Sequence, residues 1–353
     1  MTIRVACLGA GYFAQFHHDG WRRLDAADIV GVADHDVDRA SATGHPAFGS
    51  LSDMLDATTP DILDIVIPPD AHAAAIETAL EHGIRTIICQ KPFCGDLATA
   101  EKITAQAQAV GATVIIHENF RFQPWFRVIR EAVAEGLIGT PLQATWRLRP
   151  GDGQGPDAYL ARQPYFRTMP RFLIHETGVH YIDVFRFLFG DPSAVYADLH
   201  RVNPVIAGED AGLVVFEHPN AVRTVLDANR CLDHAATNPR CTMGEGLFEG
   251  TKGTLTVSGD GSVGFRRFGR TSVSTILAPD QSATFGGDCT YRLQAHVLGY
   301  LFGDNALENV AEDYLTVMRV AEATYSSARS GQKVYLNAQD EWCRPGIQYG
   351  PSG

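Results

Sequence analysis

The stretch IRVACLGAGYFAQFH, Ile3–His17, decides the fold of the first part of the chain. Its β-branched start predicts a strand, and residues 9–14, GAGYFA, match the pattern G-x-G-x-x-A of a dinucleotide-binding turn. Gly9 permits the tight turn, Gly11 lets a pyrophosphate approach the backbone, and Ala14 lets the following helix pack close to the strand. That helix, predicted from about residue 14 to 24, points its first amides at the phosphates.

An aspartate follows the second predicted strand, DIVGVADHD, residues 28–36. Asp34 lies close to the spacing of about 20 residues at which an acidic side chain binds the ribose hydroxyls of a dinucleotide. The extra phosphate of NADP carries a charge of roughly −1.5 to −2, which this acidic stretch repels. The sequence therefore predicts NAD as the cofactor, bound by Asp34 and by the turn residues Tyr12 and Phe13.

Short apolar strands alternate with amphipathic helices up to residue 122. Strand patterns occupy residues 61–69, 84–92 and 112–122, and helix patterns occupy 70–83 and 96–111. This alternation predicts a doubly wound parallel sheet, in which the ligand lies at the carboxyl ends of the strands. The side chains near those ends are candidate cofactor contacts, and they are Pro68, His72, Gln90, Lys91 and Asn119. Because a buried and unpaired lysine is costly, Lys91 at a strand end also indicates contact with a cofactor or substrate.

The pattern changes after Phe122, where stretches such as 211–219 and 221–230 are typical of strands separated by turns. The predicted fold class is α/β, with an N-terminal Rossmann domain over 1–122 built on a doubly wound parallel sheet. A C-terminal α/β domain with a large, mostly antiparallel open sheet is predicted over 123–340. Residues 341–353 are predicted to form a loose tail.

One helical stretch of the second domain, residues 171–190, carries a group of polar side chains. Glu176 and His180 are four residues apart, and His180 and Asp183 three, so all three fall near one face of an α-helix. His180 is the natural general acid or base, because the pKa of a histidine lies near neutrality. An ordinary polar helix face is an equally good reading of these residues alone. A zinc site needs a further ligand and none has motif spacing, so no metal is predicted.

Composition excludes several classes of protein. The chain has 353 residues, of which 45% are apolar, and its net charge is −12, which argues against nucleic-acid or membrane partners. No apolar stretch reaches the roughly 18 residues of a membrane helix, and the N-terminus runs directly into a strand pattern. The seven cysteines contain no C-x-x-C pair, which favours reduced thiols and a cytoplasmic location.

Several stretches, in this order, together resemble the glucose-fructose oxidoreductase / inositol dehydrogenase (Gfo/Idh/MocA) family. They are GAGYFAQFH, DIVIPPDAHAAAIETALEHG, CQKPF, ENFRFQPWF, GLIGTP, ETGVHYIDVFRFLFG and EDYLTVMRVAEATYSSARSGQKV. The resemblance covers nearly the whole chain. It implies an N-terminal Rossmann domain and a C-terminal α/β domain whose open sheet forms homodimers or homotetramers. It also implies oxidation or reduction of a sugar or polyol by bound NAD.

The resemblance also implies roles for individual residues. Lys91 corresponds to the lysine of the family motif Glu-Lys-Pro, in which the Lys-Pro bond is often cis, and Gln90 replaces the glutamate. His180 corresponds to the family histidine, and Glu176 stands where an aspartate is usual. We expect His180 to take the hydroxyl proton and Lys91 to stabilise the developing alkoxide, with Glu176 holding the imidazole or the sugar. Candidate sugar contacts, each of which equally fits a packing role, are Arg149, Asp152, Tyr165 and Arg167.

Within the family, residues 151–171, 176–183 and 201–211 are similar to a subgroup that oxidises D-apiose with NAD at its anomeric hydroxyl, giving a lactone. The best expectation is therefore an NAD-dependent aldose dehydrogenase. A dehydrogenase of another sugar or polyol, such as an inositol, remains an alternative. Two further alternatives are a glycoside hydrolase that uses NAD and a non-catalytic regulator that binds dinucleotide. The presence of both Lys91 and His180 counts against the regulator.

Overall fold

The computed structural model describes residues 2–280 and 285–336. The chain divides into two compact units, of which the first comprises Met1–Arg127 with Ser282–Met318 and the second comprises Val128–Gln281 with Arg319–Gly353. The expected second domain, 123–340, therefore includes a segment that belongs to the first unit. The predicted tail, 341–353, lies outside the described residues.

The first unit contains a six-stranded parallel sheet. Its strands are β1 (Ile3–Leu8), β2 (Ala27–Ala33), β3 (Ala47–Phe48), β4 (Ile62–Ile65), β5 (Thr86–Gln90) and β6 (Thr113–His117). Their order, β3-β2-β1-β4-β5-β6, is that of a Rossmann fold. Consecutive residues of β4, β5 and β6 are buried, as expected for strands covered on both faces. The predicted parallel sheet is confirmed.

The helices of the first unit follow the predicted alternation with the strands. The helices of both units, in chain order, are α1 (Ala14–Arg22), α2 (Val37–Ala42), α3 (Leu51–Thr58), α4 (His72–Glu81), α5 (Leu97–Ala109), α6 (Pro124–Ala134), α7 (Val179–Phe189), α8 (Cys289–Phe302) and α9 (Ala311–Ser330). Short 3₁₀ turns lie at Pro69–Ala71, Phe120–Phe122, Pro164–Thr168, Pro219–Ala221 and Phe285–Asp288. A π-helical segment, Leu173–Gly178, precedes α7.

Local sequence accounts for where several of these helices begin and end. The side chains of Asp36, Ser50 and Asp96 accept hydrogen bonds from the first turns of α2, α3 and α5, which satisfies amides that have no partner within the helix. Gly83 and Gly111 follow α4 and α5 with φ of 79° and 69°, a conformation that glycine adopts without strain.

The core of the first unit joins distant parts of the chain. Trp21 of α1 packs in one buried cluster with Val5 of β1 and with Leu293 and Val297 of α8. The side chain of Arg23 reaches Asp288, just before α8, through two hydrogen bonds of 2.8 and 2.6 Å. The helix α8 is therefore part of the nucleotide-binding unit, although it follows most of the second unit in the sequence.

The second unit contains a nine-stranded sheet. Its strands are β7 (Pro141–Leu148), β8 (Ala194–His200), β9 (Ala211–Glu217), β10 (Arg223–Asn229), β11 (Gly244–Gly250), β12 (Gly253–Val257), β13 (Val263–Arg267), β14 (Val273–Leu277) and β15 (Val334–Tyr335). The order is β14-β13-β12-β11-β7-β10-β9-β8-β15, and all neighbours are antiparallel except β7 and β10. The predicted, mostly antiparallel second sheet is confirmed.

The two faces of this sheet differ. The ring of Trp146 on β7 lies 5.4 Å from that of Tyr181 on α7, so α7 covers one face. The other face exposes apolar side chains such as Tyr196, Leu213 and Leu247. The predicted homodimer or homotetramer stays a prediction.

Candidate active site

The turn after β1 has the geometry that a dinucleotide needs. Gly9 has a φ of 113°, and a Cβ there would lie 2.2 Å from the carbonyl oxygen of Val66, so only glycine fits. A Cβ on Gly11 would meet no atom within 4 Å, which leaves open space over that peptide. A pyrophosphate can therefore approach the backbone at Gly11, as the motif requires.

Asp34 braces this turn from the end of β2. Its Oδ2 accepts a hydrogen bond of 2.8 Å from the backbone N–H of Ala10, and its Oδ1 accepts one of 2.9 Å from that of Asp36. A carboxylate oxygen has two lone pairs, so each oxygen can accept a further bond from a ribose hydroxyl. The imidazole of His35 lies 3.1 Å from Oδ1.

A cavity of about 300 Å³ opens beside Asp34. Its lining comes from the ends of β1 and β2, the start of α3 and the segment after β4, and comprises Leu8, Ala33, Asp34, His35, Gly49, Ser50, Leu51, Ile67, Pro68 and Ala71. Apolar walls with one carboxylate suit the adenosine part of a dinucleotide. The predicted residue Pro68 lies in this lining. Tyr12 is exposed, and Phe13, the residue before α1, packs against Phe16 and Phe285.

The segment that carries Lys91 leaves the carboxyl end of β5. The Lys91–Pro92 peptide bond is cis, as the resemblance implies. The following Phe93 and Cys94 are buried, whereas Lys91 is partly exposed. Burial raises the pKa of the Cys94 thiol to about 12, so this cysteine is neutral and suits a packing role.

His72, a predicted cofactor contact, is held by two backbone carbonyls. Its imidazole is completely buried, with Nδ1 3.0 Å from the carbonyl oxygen of Phe93 and Nε2 2.8 Å from that of Ile67. Burial lowers the pKa of His72. The ring therefore joins the Lys91 segment to the loop after β4. Contact of His72 with the cofactor stays a prediction.

Two further predicted cofactor contacts are also engaged within the first unit. The side chain of Gln90 is buried, and its Oε1 accepts a hydrogen bond of 2.9 Å from the backbone N–H of Lys91. The amide of Asn119 is buried and donates to the hydroxyl of Thr290 at 3.3 Å. Contact of either residue with the cofactor stays a prediction.

In the second unit, the helix that carries Glu176 and His180 is not α-helical throughout. Glu176 lies in the π-helical segment, where the N–H of Val179 donates to the carbonyl of Ile174, five residues back. His180 and Asp183 lie in α7 and are both buried. The wider turn changes the angular relation between Glu176 and His180 from the one that an α-helix predicts. Such turns are frequent at functional sites.

Glu176 is held by a buried arginine that the sequence reasoning missed. The guanidinium of Arg230 donates from Nη1 to Oε2 of Glu176 at 3.3 Å and to the hydroxyl of Thr177 at 2.5 Å. The Thr177 hydroxyl itself donates to Glu176 Oε2 at 2.5 Å. Arg230 is only 2% exposed, so the cationic end of this ion pair is shielded from water. The carboxylate form of Glu176 is favoured by its cationic partner.

The same arginine binds Asp152. Its Nη2 lies 2.7 Å from Oδ2 of Asp152, its Nε lies 2.7 Å from the hydroxyl of Tyr159, and Arg162 donates to Asp152 at 2.8 Å. Burial raises the pKa of the Asp152 carboxyl, but Arg230 and then Arg162 outweigh it, so the net pKa lies below its usual range. Burial raises the pKa of Tyr159. Asp152, a predicted sugar contact, is therefore also a counter-ion of the buried arginine.

The remaining predicted sugar contacts lie in different surroundings. Arg149 is buried and forms an ion pair of 2.7 Å with Asp227. Tyr165 is 54% exposed, with its hydroxyl 3.2 Å from the amide of Gln163, and Arg167 is partly exposed. The structure gives Arg149 an internal partner and leaves Tyr165 and Arg167 accessible to a ligand. Their contacts with a sugar stay predictions.

Two further features concern residues 2–280 and 285–336. No helix there is both long enough and apolar enough to cross a membrane. The same residues contain no group of three His, Cys, Asp or Glu side chains placed to hold a metal ion.

A Rossmann sheet, a glycine turn with open space and an aspartate beside a nucleotide-sized cavity define a dinucleotide-binding protein. Residues 3–118 match the model of the GFO/IDH/MocA oxidoreductase family with an NAD-binding Rossmann fold, and residues 126–256 match the GFO/IDH/MocA C-terminal domain. The chain belongs to this family and is an NAD-dependent oxidoreductase.

Individual relatives align over almost the whole chain. A D-apiose dehydrogenase of Paraburkholderia graminis is 32% identical, with 95% of this chain and 90% of the relative covered. A D-apiose dehydrogenase of Rhizobium rhizogenes is 27% identical, with 95% and 98% covered. An oxidoreductase of Agrobacterium radiobacter, solved with NAD⁺, L-tartaric acid and magnesium, has a TM-score of 0.85 at 25% identity, with 95% and 98% covered.

Proposed function

We propose that the protein is an NAD-dependent aldose dehydrogenase that oxidises an anomeric hydroxyl to a lactone, with D-apiose as substrate. The observation that carries the proposal is similarity over 95% of the chain to two relatives named D-apiose dehydrogenase. The presence of Lys91 and His180, at the positions that the family resemblance implies for catalysis, supports it. An inositol 2-dehydrogenase of Saccharopolyspora erythraea aligns over 99% of the chain at 25% identity, which makes a polyol the second candidate substrate.

The protein's own groups supply the proton chemistry of this reaction. When bound, NAD would supply the hydride acceptor for the anomeric carbon. His180 takes the proton of the anomeric hydroxyl as that hydride leaves, so the carbon loses two electrons and the hydroxyl oxygen becomes the carbonyl oxygen of the lactone. Lys91 donates a hydrogen bond to the same oxygen and stabilises its developing negative charge.

Glu176 has a different role from His180 in this proposal. Its Oε2 accepts hydrogen bonds from Arg230 and Thr177, both of which favour the ionised carboxylate. We assign Glu176 as a hydrogen-bond acceptor that orients a sugar hydroxyl or the imidazole. It is not assigned as a proton donor, because its ion pair opposes protonation.

The first experiment measures NADH formation by the purified protein with a panel of free sugars and inositols, with NADP in parallel. A selective rate with D-apiose and NAD supports the proposal. A selective rate with another sugar or an inositol overturns D-apiose as the substrate and leaves the proposed roles of Lys91 and His180 in place. NAD binding without NADH formation across the panel overturns the dehydrogenase proposal and favours a hydrolase or a regulator.

A matched pair of variants tests the assignment of His180. His180→Ala should lower kcat by about 10²- to 10⁴-fold, the usual contribution of a general base, while NAD binding is retained. His200→Ala replaces an exposed histidine of β8 and should leave kcat unchanged. Near-normal turnover of His180→Ala contradicts the assignment.

A further inference from the structure

A buried chain of hydrogen bonds runs through the first unit and ends at the backbone of Lys91. We name it the Asp64–His117 chain, and its members are Asp64 of β4, His17 of α1, Gln90 at the end of β5 and His117 at the end of β6. All four side chains are buried. His17 Nδ1 lies 2.9 Å from Asp64 Oδ2, His17 Nε2 lies 2.8 Å from Gln90 Nε2, and Gln90 Nε2 lies 3.3 Å from His117 Nδ1.

The position of Gln90 follows from the sheet. β5 and β6 are parallel neighbours, with Gln90 paired to His117 across the ladder. The rings of His17 and His117 lie 4.0 Å apart at 36°, so the amide of Gln90 meets a ring nitrogen from each. Its other end, Oε1, accepts the N–H of Lys91 at 2.9 Å.

These contacts fix where the protons lie. Because Gln90 Oε1 faces a backbone N–H, it must be the acceptor, and Nε2 must face the two histidines as a double donor. The ring nitrogens His17 Nε2 and His117 Nδ1 are then both acceptors. His17 therefore carries its proton on Nδ1 and donates it to Asp64, and His117 carries its proton on Nε2. Both imidazoles are neutral.

Asp64 is the ionised member of the chain. Burial raises the pKa of its carboxyl, but the N–H groups of His17 and Trp21 that donate to Oδ2 lower it, and the net pKa lies below its usual range. Trp21 donates to Asp64 Oδ2 at 2.7 Å, and Gln294 of α8 lies 3.5 Å from the same oxygen.

Three titratable side chains near the Asp64–His117 chain carry no charge near pH 7. Burial raises the pKa of the Cys7 and Cys89 thiols well above the usual value, and burial lowers the pKa of His18 to about 4. All three are neutral near pH 7. Glu118 follows His117 and accepts a bond of 3.1 Å from Tyr314, and Lys91 follows Gln90.

A carboxylate at position 90 is incompatible with this proton arrangement. A glutamate has the shape of glutamine but only accepts, so both ring nitrogens would have to donate to it. His17 would then carry two protons and lie between two carboxylates, and His117 would move its proton to Nδ1. Leaving the rings as acceptors would instead place a buried carboxylate against two lone pairs, which is costly.

We propose that Gln90 is a positioning residue for Lys91, and that the Asp64–His117 chain requires an amide at position 90. His17, which is held by Asp64, and His117 fix the orientation of the Gln90 amide. The amide oxygen in turn holds the backbone N–H of Lys91. The catalytic part of this proposal rests on the proposed function, in which Lys91 binds the reacting oxygen. Its structural part, the proton arrangement, is independent of any substrate.

The first test is the ¹⁵N spectrum of the full-length protein labelled at its histidine rings, recorded at pH 7.5. Loss of peaks in His17→Gln and His117→Gln assigns the signals. We expect neutral shifts, with the proton on Nδ1 of His17 and on Nε2 of His117. Imidazolium shifts for His17, or the opposite tautomer of either ring, overturn the proposal without any variant of Gln90.

The second test compares Gln90→Glu with Gln90→Glu combined with Asp64→Asn. In the single variant we expect His17 to become an imidazolium. We also expect kcat to fall by roughly 10- to 100-fold, as a displacement of about 1 Å can cause, with a new pH dependence. Asp64→Asn removes one of the two carboxylates beside His17 and should return part of the lost kcat. Wild-type kcat and wild-type histidine shifts in Gln90→Glu overturn the proposal.

A third pair covers the case in which Gln90→Glu does not fold. His117→Asn retains an acceptor near the place of Nδ1, whereas His117→Leu removes it. We expect the Leu variant to lose more of kcat than the Asn variant, with a similar KM for NAD. Equal losses overturn the positioning role. Absence of NADH formation by the wild type would overturn the proposed function instead, and the spectra would still decide the proton arrangement.

Discussion

Replacement of Arg230 by methionine tests how much the ion pairs of Arg230 with Asp152 and Glu176 stabilise the second unit. Arg230 is the buried cation that joins Asp152 to Glu176, and its removal breaks both ion pairs while Asp152 keeps its contact with Arg162. Removing one partner of a buried ion pair costs about 3–5 kcal/mol. Since the side chains of Asp152 and Glu176 are 18% and 15% exposed, water screens part of their charge. We expect a loss near the lower end, about 3 kcal/mol.

The matched control is Arg162→Met. Arg162 binds Asp152 through one contact of 2.8 Å and is 23% exposed, so its removal should cost about 1 kcal/mol or less. Urea unfolding followed by far-UV circular dichroism measures both losses, with separate transitions fitted for the two units if they are resolved. Adding Asp152→Asn to Arg230→Met removes one uncompensated carboxylate and should return about 1–2 kcal/mol.

Two outcomes would refute this reasoning. Equal losses for Arg230→Met and Arg162→Met would mean that burial does not make Arg230 the more important cation. A double variant that is less stable than Arg230→Met would mean that Asp152 stabilises the unit by other contacts. In either case the ionised state proposed for Glu176 would lose its physical support.

Two further predictions concern single aspartates of the first unit. Asp34→Ser should raise the KM for NAD by about 10- to 100-fold, because the ribose loses hydrogen bonds to a charged group, and it should lower the preference for NAD over NADP. Steady-state kinetics test this against Asp38→Ser, which replaces an exposed aspartate. An unchanged cofactor preference contradicts the role of Asp34. Asp96→Ala should cost about 1 kcal/mol by loss of the N-cap of α5, as measured by urea unfolding at pH 7. Hydrogen bonds from Thr99 lower the pKa of Asp96 from 3.8, so its contribution is present above pH 3.8 and is lost as pH falls through the lower folded value. A difference between wild type and variant that persists in stronger acid contradicts the capping role.

The sequence allowed the nucleotide-binding unit to be predicted because its signals are local. The longer strands of the parallel sheet are short apolar runs, and β2, β4 and β5 are followed by helices with their own cap or terminal glycine. The turn at Gly9 depends on residues that are adjacent in the chain. The two-residue strand β3 has too few residues to show a period, and it was not predicted.

The missed features depend on contacts between distant residues. Arg230 ends a strand pattern like many surface arginines, and nothing near it in the sequence indicates Glu176, 54 residues earlier. His17 appears as one polar residue of an amphipathic helix, although its partners Asp64 and Gln90 lie on two strands. The π-helical turn at Glu176 was also missed, because helical spacing alone does not reveal an added residue in one turn.

The return of Ser282–Met318 to the first unit has a consequence for synthesis of the chain. Gln294 donates to the carbonyl of His17 across 277 residues, and Leu293 and Val297 complete the packing around Trp21. A ribosome that has made residues 1–127 has therefore made only part of the nucleotide-binding unit. That unit acquires its last helices after the strands of the nine-stranded sheet from β7 to β14 have already emerged. A fragment ending at residue 127 would expose the apolar surface that α8 covers, so the first unit can complete its core only after most of the second unit has been synthesised.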